Sequence, residues 1–548
     1  MKKLIALLFM WNAVSATIPQ NPSVVIVFVI DQFPFYYLTR HQNNFKYTGF
    51  SRFIDKGVFY TNALQAHGIP ETSPGHASLS TGVLPVSHGV ASNRWFDADG
   101  KTINFSHDPD EKTAVISAPP EAGGRSPLHL DVDTVSDQMG MHQATKHICK
   151  SFSVGIKDTA TIATAGQKTP AFWFNNFQGG FTSSYHYMRE LPRWVKQFNE
   201  RSGIRQLKKV AWPLCFDRDD AAYDYPFIDN YQYAGYPFKL AGREDIEIDR
   251  GKSDPYDLYI KTPAANQLVL DFAQACIKNV YKKRKHEKLL LWVCLSPLDL
   301  AGHRYGPDSL EIIDFIHHLD RQLDHCMTKI ERMLDSNNVA FVLAADHGIQ
   351  PMQEISKLRG IAQARRIMAN DLMQRINTQI EETYRVPNFL AKFESTYFMY
   401  NKDAVAALES NDQLDDAENL TKELLLNEPG IKSVWAYHEL KALQCEPNSH
   451  EQFYKNHLFS GRLGDLIVQP KPYCLITNYP TGCSHNTPYK YDTQIPLAFY
   501  QKGITPQHIK TRVFAAQLAP TIAQMLNTPA PSAALLDPLP HLLTDESK

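Results

Sequence analysis

Three apolar runs that lead into carboxylates constrain this chain more than any other feature. Val24-Val-Ile-Val-Phe-Val-Ile30 contains no polar residue and is followed at once by Asp31. Leu289-Leu-Leu-Trp-Val-Cys-Leu295 leads into Ser-Pro-Leu-Asp299, and Val339-Ala-Phe-Val-Leu343 into Ala-Ala-Asp346-His347-Gly348. Unbroken β-branched and aromatic runs of this length predict strands buried on both faces. Between the last two, Ile312, Ile316, Leu319, Leu323, Cys326, Ile330 and Leu334 recur at helical spacing, which predicts one long amphipathic helix. His317, His318 and His325 fall on or near its polar side and read as structural or solvated. Strand, helix, strand in that order predicts an α/β fold with a mostly parallel central sheet flanked by helices. Phe152–Ile156, Asp465–Val468 and Pro496–Tyr500 are further expected strands.

Composition narrows the class. At 548 residues, 43% hydrophobic, 21% charged and a formal charge of −2, the chain is neither a disordered tail, a collagen-like fibre nor a multi-span membrane protein. A near-neutral balance leaves no basic face for nucleic acid. The short basic run from Tyr281 to Lys288 directly precedes an apolar strand and reads as a solvated turn. Met1-Lys-Lys, the apolar stretch Leu4–Trp11 and small residues at Val14 and Ala16 predict a signal peptide over residues 1–16, hence a periplasmic or secreted protein. No later segment approaches the length of a membrane span. Export permits disulfides; Cys474 and Cys483 have a spacing that allows pairing, while Cys294 lies inside an apolar strand and reads as a free thiol.

Residues 17–548 read as one catalytic domain carrying two insertions. The first, at about 170–285, is aromatic-rich (Phe172-Trp-Phe174, Tyr223-Asp-Tyr225, Tyr231-Gln-Tyr233) and looks like a cap. The second, at about 390–460, includes an acidic helix near Asp412–Leu426, and Pro529 to Pro540 reads as a tail hugging the surface.

The chemistry is expected where the strands end. Ligands of open α/β sheets bind beyond the carboxyl ends of the strands, so Asp31, Asp299 and Asp346 should converge. Singly, an Asp there is more often a turn former or cap; three of them beside histidines point to metal. Asp299-Leu-Ala-Gly-His303 sets a carboxylate and an imidazole one helical turn apart, within reach of one cation. Asp346-His347 adds two ligand types in a turn that Gly348 permits, and His485 lies in the turn-rich Gly482-Cys-Ser-His-Asn-Thr-Pro488. In Pro70-Glu-Thr72-Ser-Pro-Gly-His, Thr72 has N-cap character, Pro74 suits a first turn and Gly82 a helix end. A hydroxyl there feels the helix N-terminus, which favours an alkoxide and a bound phosphate. A plain Thr cap is the simpler account of that segment alone, and Ser73 is the nearest rival nucleophile. HExxH, GxSxG and GxGxxG are absent, Gly100-Lys-Thr lacks the first glycine of a phosphate loop (Trp95 stands there), and no sulfatase signature occurs.

The ordered set Asp31, Thr72, Asp299-x3-His303, Asp346-His347 and His485 resembles the alkaline phosphatase superfamily, in its nucleotide pyrophosphatase/phosphodiesterase-like branch. It is most similar to the PafA-type periplasmic alkaline phosphatases. The similarity extends through Gly75-His76-Ala-Ser, His88-Gly-Val-Ala-Ser-Asn93-Arg-Trp95, Gly155-Ile-Lys157-Asp158 and Ala171-Phe-Trp-Phe174. The resemblance implies an alkaline-phosphatase-like core and two Zn2+ per subunit. Asp299, His303 and His485 would hold one, and Asp31, Asp346, His347 and the Thr72 oxygen the other. Thr72 would attack phosphorus in line and form a phosphothreonine, which water would then hydrolyse. Asn93 and Lys157 match phosphate-contacting positions. Lys157 would favour the dianion of a monoester over a singly charged diester. Where the PafA-type pattern has an arginine two residues after this lysine, the chain has Thr159, whose hydroxyl carries no charge and no bidentate fork.

The resulting expectation is an exported, zinc-dependent, monomeric phosphatase acting on small phosphate monoesters. Two alternatives stand beside it: a phosphodiesterase or nucleotide pyrophosphatase on the same metals, and a non-catalytic zinc-binding exoprotein. Asp/His/alkoxide sets also accept manganese or iron, so zinc rests on the resemblance.

Overall fold

The computed structural model of the protein describes residues 18–542 apart from residues 20, 98, 143–147, 208, 226–245 and 248–255. The expected signal peptide and Tyr231-Gln-Tyr233 lie outside the described residues.

The first apolar run forms β1 (Val24–Ile30), every residue of which is buried. Around it lie β2 (Val58–Leu64), β3 (Ile148–Gly155), β4 (Ala171–Asn175), β5 (Gly180–Thr182), β6 (Glu287–Leu295), β7 (Val339–Ala344), β8 (Gln494–Gln501), β9 (Gln507–Ile509) and β10 (Val513–Phe514). They make one ten-stranded sheet in the order β9-β2-β8-β7-β1-β6-β3-β4-β5, with β10 also on β2. All neighbours are parallel except around β8 and β5. The protein is therefore an α/β fold on a mostly parallel central sheet. Register explains the meeting of distant acids: Ile30 of β1 sits opposite Leu295 of β6, and Val29 opposite Ala344 of β7. The three apolar runs thus end on one edge, and their carboxylates come immediately beyond it.

Five helices carry or flank the site: α1 (Thr72–Thr81), α2 (Asp158–Ala165), α3 (Pro263–Val280), α4 (Pro297–Tyr305) and α5 (Leu310–Met333). The long amphipathic helix is α5, and it packs on α3. Its polar side is covered in the first half only, since His325, Lys329 and Arg332 are exposed. His317 and His318 are buried, with Nε2 3.1 Å from Ala222 O and 3.0 Å from Pro213 O. Asp314 holds the covering segment by accepting from Trp212 Nε1 (2.7 Å), the Cys215 amide (2.7 Å) and Tyr223 Oη (2.5 Å). Periodicity could not show that a loop distant in sequence lies over this face.

Residues at both ends of the stretch read as a first insertion belong to the core. β4 and β5 are strands of the main sheet, and α3 packs against β6 and β3. Phe172-Trp-Phe174 is buried strand, a run too short for its period to declare itself. β2, which carries Thr61 and Asn62 in mid-run, also gave no clear strand signal. Leu390–Glu394, Tyr397–Tyr400, Leu466–Pro470 and Ile431–Ala436 form a separate antiparallel sheet, in that order. The run expected at Asp465–Val468 lies there rather than in the main sheet. This sheet has its own apolar core, including Leu372, Ile376, Leu408 and Leu425, and the acidic helix is Leu414–Asn427. Cys474 and Cys483 do not pair with each other; both are buried free thiols. The C-terminal tail packs inward through Leu539 and Leu542, and Tyr60 Oη donates to Pro540 O (2.7 Å).

Candidate active site

Asp31 directly follows β1, and its amide donates to Leu295 O (3.1 Å), so the first acid is fixed against the end of β6. Asp299 stands in the first turn of α4, and His303 lies one turn later on the same face, with Nε2 3.1 Å from Asp299 Oδ1. His485 arrives from the C-terminal loop, its Nε2 3.3 Å from that of His303 and 3.9 Å from Asp299 Oδ1. Asp346 and His347 follow β7; His347 Nε2 is 3.5 Å from both Asp31 Oδ1 and Asp346 Oδ2. The groups expected from the sequence thus form two trios, Asp299/His303/His485 and Asp31/Asp346/His347, each with its ligand atoms within 4.8 Å of one another. The rings of His347 and His485, 3.9 Å apart between centroids, join them.

Thr72 lies between the trios. It is the first residue of α1 rather than its cap; Glu71 occupies the N-cap position and Gly82 (φ 77°) ends the helix. Thr72 Oγ1 donates to Asp31 Oδ1 at 3.5 Å and accepts from Lys157 Nζ at 3.1 Å. The capping comes from far along the chain, since Asn93 Oδ1 accepts from the Ser73 amide (2.8 Å) and Ser73 Oγ (2.7 Å). Ser73, the rival nucleophile, is therefore engaged with Asn93. With its oxygen committed, Asn93 has its amide N–H groups left to offer.

Lys157 precedes α2 and is the ammonium beside these carboxylates, 3.0 Å from Asp31 Oδ2 and bonded to Asp299 Oδ2. Burial opposes its charge, but Asp299 and Asp31 outweigh burial and raise its pKa. Burial, reinforced by Asp346, pushes Asp31 well above the carboxylate range. For Asp299, Lys157 and His303 overcome burial and hold the pKa well down. Burial, with His347 and His303 adding, keeps His485 neutral. Thr159 is not brought to Thr72: its amide donates to Asp158 Oδ1 (2.7 Å), and its side chain lines a neighbouring pocket.

Three contributors were not foreseen. Gln32, at φ 61°, donates from its amide to Asp346 Oδ1 (3.1 Å) and from Nε2 to Asp299 Oδ1 (2.7 Å), bracing one acid of each trio. It fits because residue 302 is glycine; a Cβ there would stand 1.8 Å from Gln32 Oε1. His76 Nδ1 lies 2.8 Å from Thr72 O and 3.2 Å from Asp346 Oδ2. Glu71, buried, accepts from the Asn93 amide and Ser92 Oγ (both 2.7 Å) and from Ser395 Oγ of the second sheet. A polar residue between two motif positions was the one signal available for each.

The donor set fits divalent metal. His303, His347 and His485 each direct Nδ1 at a backbone carbonyl, of Cys483 (2.9 Å), Gly348 (2.9 Å) and Pro70 (2.7 Å). Nδ1–H donation leaves every Nε2 with its lone pair facing the site, the tautomer a metal ligand needs. His347 Nε2 is buried without a hydrogen bond, while Asp31 Oδ2 faces the Lys157 ammonium and Asp346 Oδ2 the His76 ring. Three buried carboxylates crowd around Lys157 and the His76 ring, and cations in the trios would offset their mutual repulsion. A cavity of about 700 Å3 opens on this centre, lined by Asn93, Arg94, His303, Ser395, Tyr479 and His485 among others.

Residues 25–490 match the family described as type I phosphodiesterase / nucleotide pyrophosphatase. The chain is 27% identical over 538 residues to alkaline phosphatase PafA of Elizabethkingia meningoseptica, covering 95% of each. It is 27% identical to alkaline phosphatase PhoV of Synechococcus elongatus over 94% of this chain and 92% of that one. The crystal structure of wild-type PafA superposes with a TM-score of 0.83 at 25% identity, over 96% of this chain and 99% of the other. On a match that spans most of its length, the chain belongs to the type I phosphodiesterase / nucleotide pyrophosphatase family, within the alkaline phosphatase superfamily, and is a phosphoric ester hydrolase.

Proposed function

We propose that the protein is an exported, zinc-dependent phosphatase that hydrolyses phosphate monoesters through a phosphothreonine on Thr72. The observation that carries this reading is the position of the Thr72 hydroxyl, 3.5 Å from a carboxylate of one trio and 3.1 Å from the Lys157 ammonium, which also pairs with the other trio. Relatives named alkaline phosphatases support it. Two Zn2+ held by Asp299/His303/His485 and by Asp31/Asp346/His347 with the Thr72 oxygen would supply Lewis acidity for the attacking and leaving oxygens.

The chain's own residues do the rest. Thr72 Oγ1, at the start of α1, attacks phosphorus as the ester P–O bond breaks and the alcohol departs. Water then cleaves the Thr72–phosphate bond and releases phosphate. Asn93 donates its amide N–H groups to a phosphate oxygen. Lys157 places positive charge beside the unesterified oxygens, which carry two negative charges in a monoester and one in a diester, so it favours the monoester. Gln32 and His76 hold the acids in place. Among the described residues, no helix is long and apolar enough to cross a membrane.

Hydrolysis of diesters is a second reading, favoured by Thr159, which puts no charge beside Lys157 and leaves an open pocket there. Steady-state rates on phenyl phosphate and methyl phenyl phosphate, with and without chelator, decide between them. Faster diester cleavage would overturn the monoesterase reading. Two bound zincs with no turnover on either ester would favour a non-catalytic binding protein. Elemental analysis identifies the metal, and N-terminal sequencing of the exported protein tests cleavage after Ala16.

A further inference from the structure

The cavity that opens on the catalytic centre extends past it, and its wall carries charge that the proposed chemistry does not use. Four cationic side chains, Arg94, Lys261, Arg304 and Arg366, line it against two carboxylates, Glu71 and Glu394. Two of the cations are answered by acids outside the lining. Lys261 pairs with Asp257 and Arg366 with Glu354, and further donors of Arg366 go to Tyr479 O (3.3 Å) and Gly482 O (2.6 Å). Both lining acids are spent as well. Glu71 accepts from the Asn93 amide, Ser92 and Ser395, and Glu394 Oε2 accepts from Arg94 Nε (2.9 Å). Arg94 itself opens a short strand, Arg94–Phe96, paired with Thr102–Asn104 and anchored by the buried Trp95. Its guanidinium is held by one edge only. Among the described residues no hydrogen bond uses Nη1 or Nη2, so a half-exposed fork of donors stands open in the cavity wall. Arg94 follows Asn93 directly, and His303 and His485 line the same cavity, whereas Thr72 is buried behind that lining. In-line attack places the departing alcohol opposite Thr72 Oγ1, hence on the cavity side where Arg94 stands.

We infer that Arg94 makes this cavity a subsite for a second oxyanion on the alcohol part of the substrate. The preferred substrates are then phosphate monoesters whose alcohol carries a carboxylate or a further phosphate. The inference rests on the phosphatase reading and adds the leaving group to it. Nη1 and Nη2 form the planar fork that meets either oxyanion with two bonds. The Glu394 bond fixes the guanidinium beforehand, so less freedom is lost when the substrate arrives. Arg94 would touch a group whose charge does not change as the P–O bond breaks, so its contribution falls on binding rather than on the chemical step.

The test uses the metal-replete wild type and the variants R94Q and R94E on phenyl phosphate, 4-carboxyphenyl phosphate and 1,4-phenylene bisphosphate. The quantity read is kcat/KM for each ester with the extra oxyanion, relative to phenyl phosphate in the same protein. Leaving-group reactivity then cancels when proteins are compared. In R94Q this ratio should fall about fivefold to tenfold for at least one of the two, the range of a charge-assisted hydrogen bond discounted for a half-exposed arginine, and the fall should sit in KM. R94E should lower it further. Which ester falls more tells which oxyanion the fork takes. An equal loss on all three esters, or ratios unchanged in both variants, would overturn the proposal. Should the variants not fold, wild type alone decides: a KM for both oxyanion-bearing esters no lower than for phenyl phosphate at low salt would do the same. Calorimetry with benzylphosphonate and 4-carboxybenzylphosphonate, which have no ester bond to cleave, separates this inference from the reading beneath it. A wild type that turns over no ester but binds the carboxylated phosphonate more tightly, with that advantage lost in R94Q, refutes the phosphatase and supports the subsite.

Discussion

His88 and His457 are fully buried, and neither ring has room for a second proton. His88 Nδ1 accepts the Val90 amide (3.1 Å) and its Nε2 faces Ser78 Oγ (3.1 Å), so protonating Nδ1 breaks a bond. His457 Nε2 bonds to Ala91 O, while Nδ1 is buried without a partner. The His67 ring stands 5.3 Å from that of His457, and Arg462 adds positive charge near His88. Burial, with His457 and Arg462, pushes His88 down to about 3, and burial lowers His457 to about 4. Both values lie below the unfolded value of about 6.5, so the fold favours the neutral rings. The stabilisation is complete above about pH 7.5. It declines as pH falls through 6.5 and is gone only below the folded values. At pH 5 each histidine costs about 2 kcal/mol, roughly 4 together if they act independently, a large share of a typical total of about 5–15 kcal/mol. Urea unfolding at pH 7.5 and 5 measures the loss. Protonation of metal ligands adds to it, so the informative quantity is a difference. His457→Gln keeps an N–H for Ala91 O but cannot titrate, and its loss between the two pH values should be smaller than wild type's by about 2 kcal/mol. An identical pH slope in the two proteins would refute the argument.

Thr72→Ala should retain its metal by elemental analysis yet lose about a thousandfold or more in turnover, as removal of a nucleophile does. Acid-quenched enzyme should carry the phosphoryl label on Thr72; label on Ser73, whose hydroxyl serves Asn93, would sink the assignment. Chelation should abolish turnover and lower Tm, because the buried acids lose their counter-charge, and added Zn2+ should restore both; a chelated enzyme at full rate excludes metal catalysis. Glu71→Ala frees the Asn93 amide and the Ser395 contact, and should raise KM for phosphate monoesters several-fold with a smaller loss in kcat. An unchanged KM would show that Asn93 keeps its place without Glu71.

Much of the sheet was legible because its signals are local. β1, β6 and β7 announce themselves through runs that only a doubly covered strand can bury, and α5 through its period. The Asp299/His303 pair was legible for the same reason, since one helical turn fixes its spacing. β4 and β5 were missed because three to five residues carry no usable period. The burial of His317 and His318 was missed because the cover comes from residues about a hundred positions away.

Sequence alone settled that β1, β6, β7 and α5 exist, which side chains carry acid, imidazole and hydroxyl chemistry, and that these strands run side by side, for these depend on composition and short-range spacing. Tertiary structure decided the rest. Parallel register brings Asp31, Asp299 and Asp346 to one edge; remote carbonyls set the tautomers of His303 and His485; and Gln32 reaches two acids past a glycine. Each of these is a contact between segments far apart in the chain, and only packing determines which of the many possible contacts form.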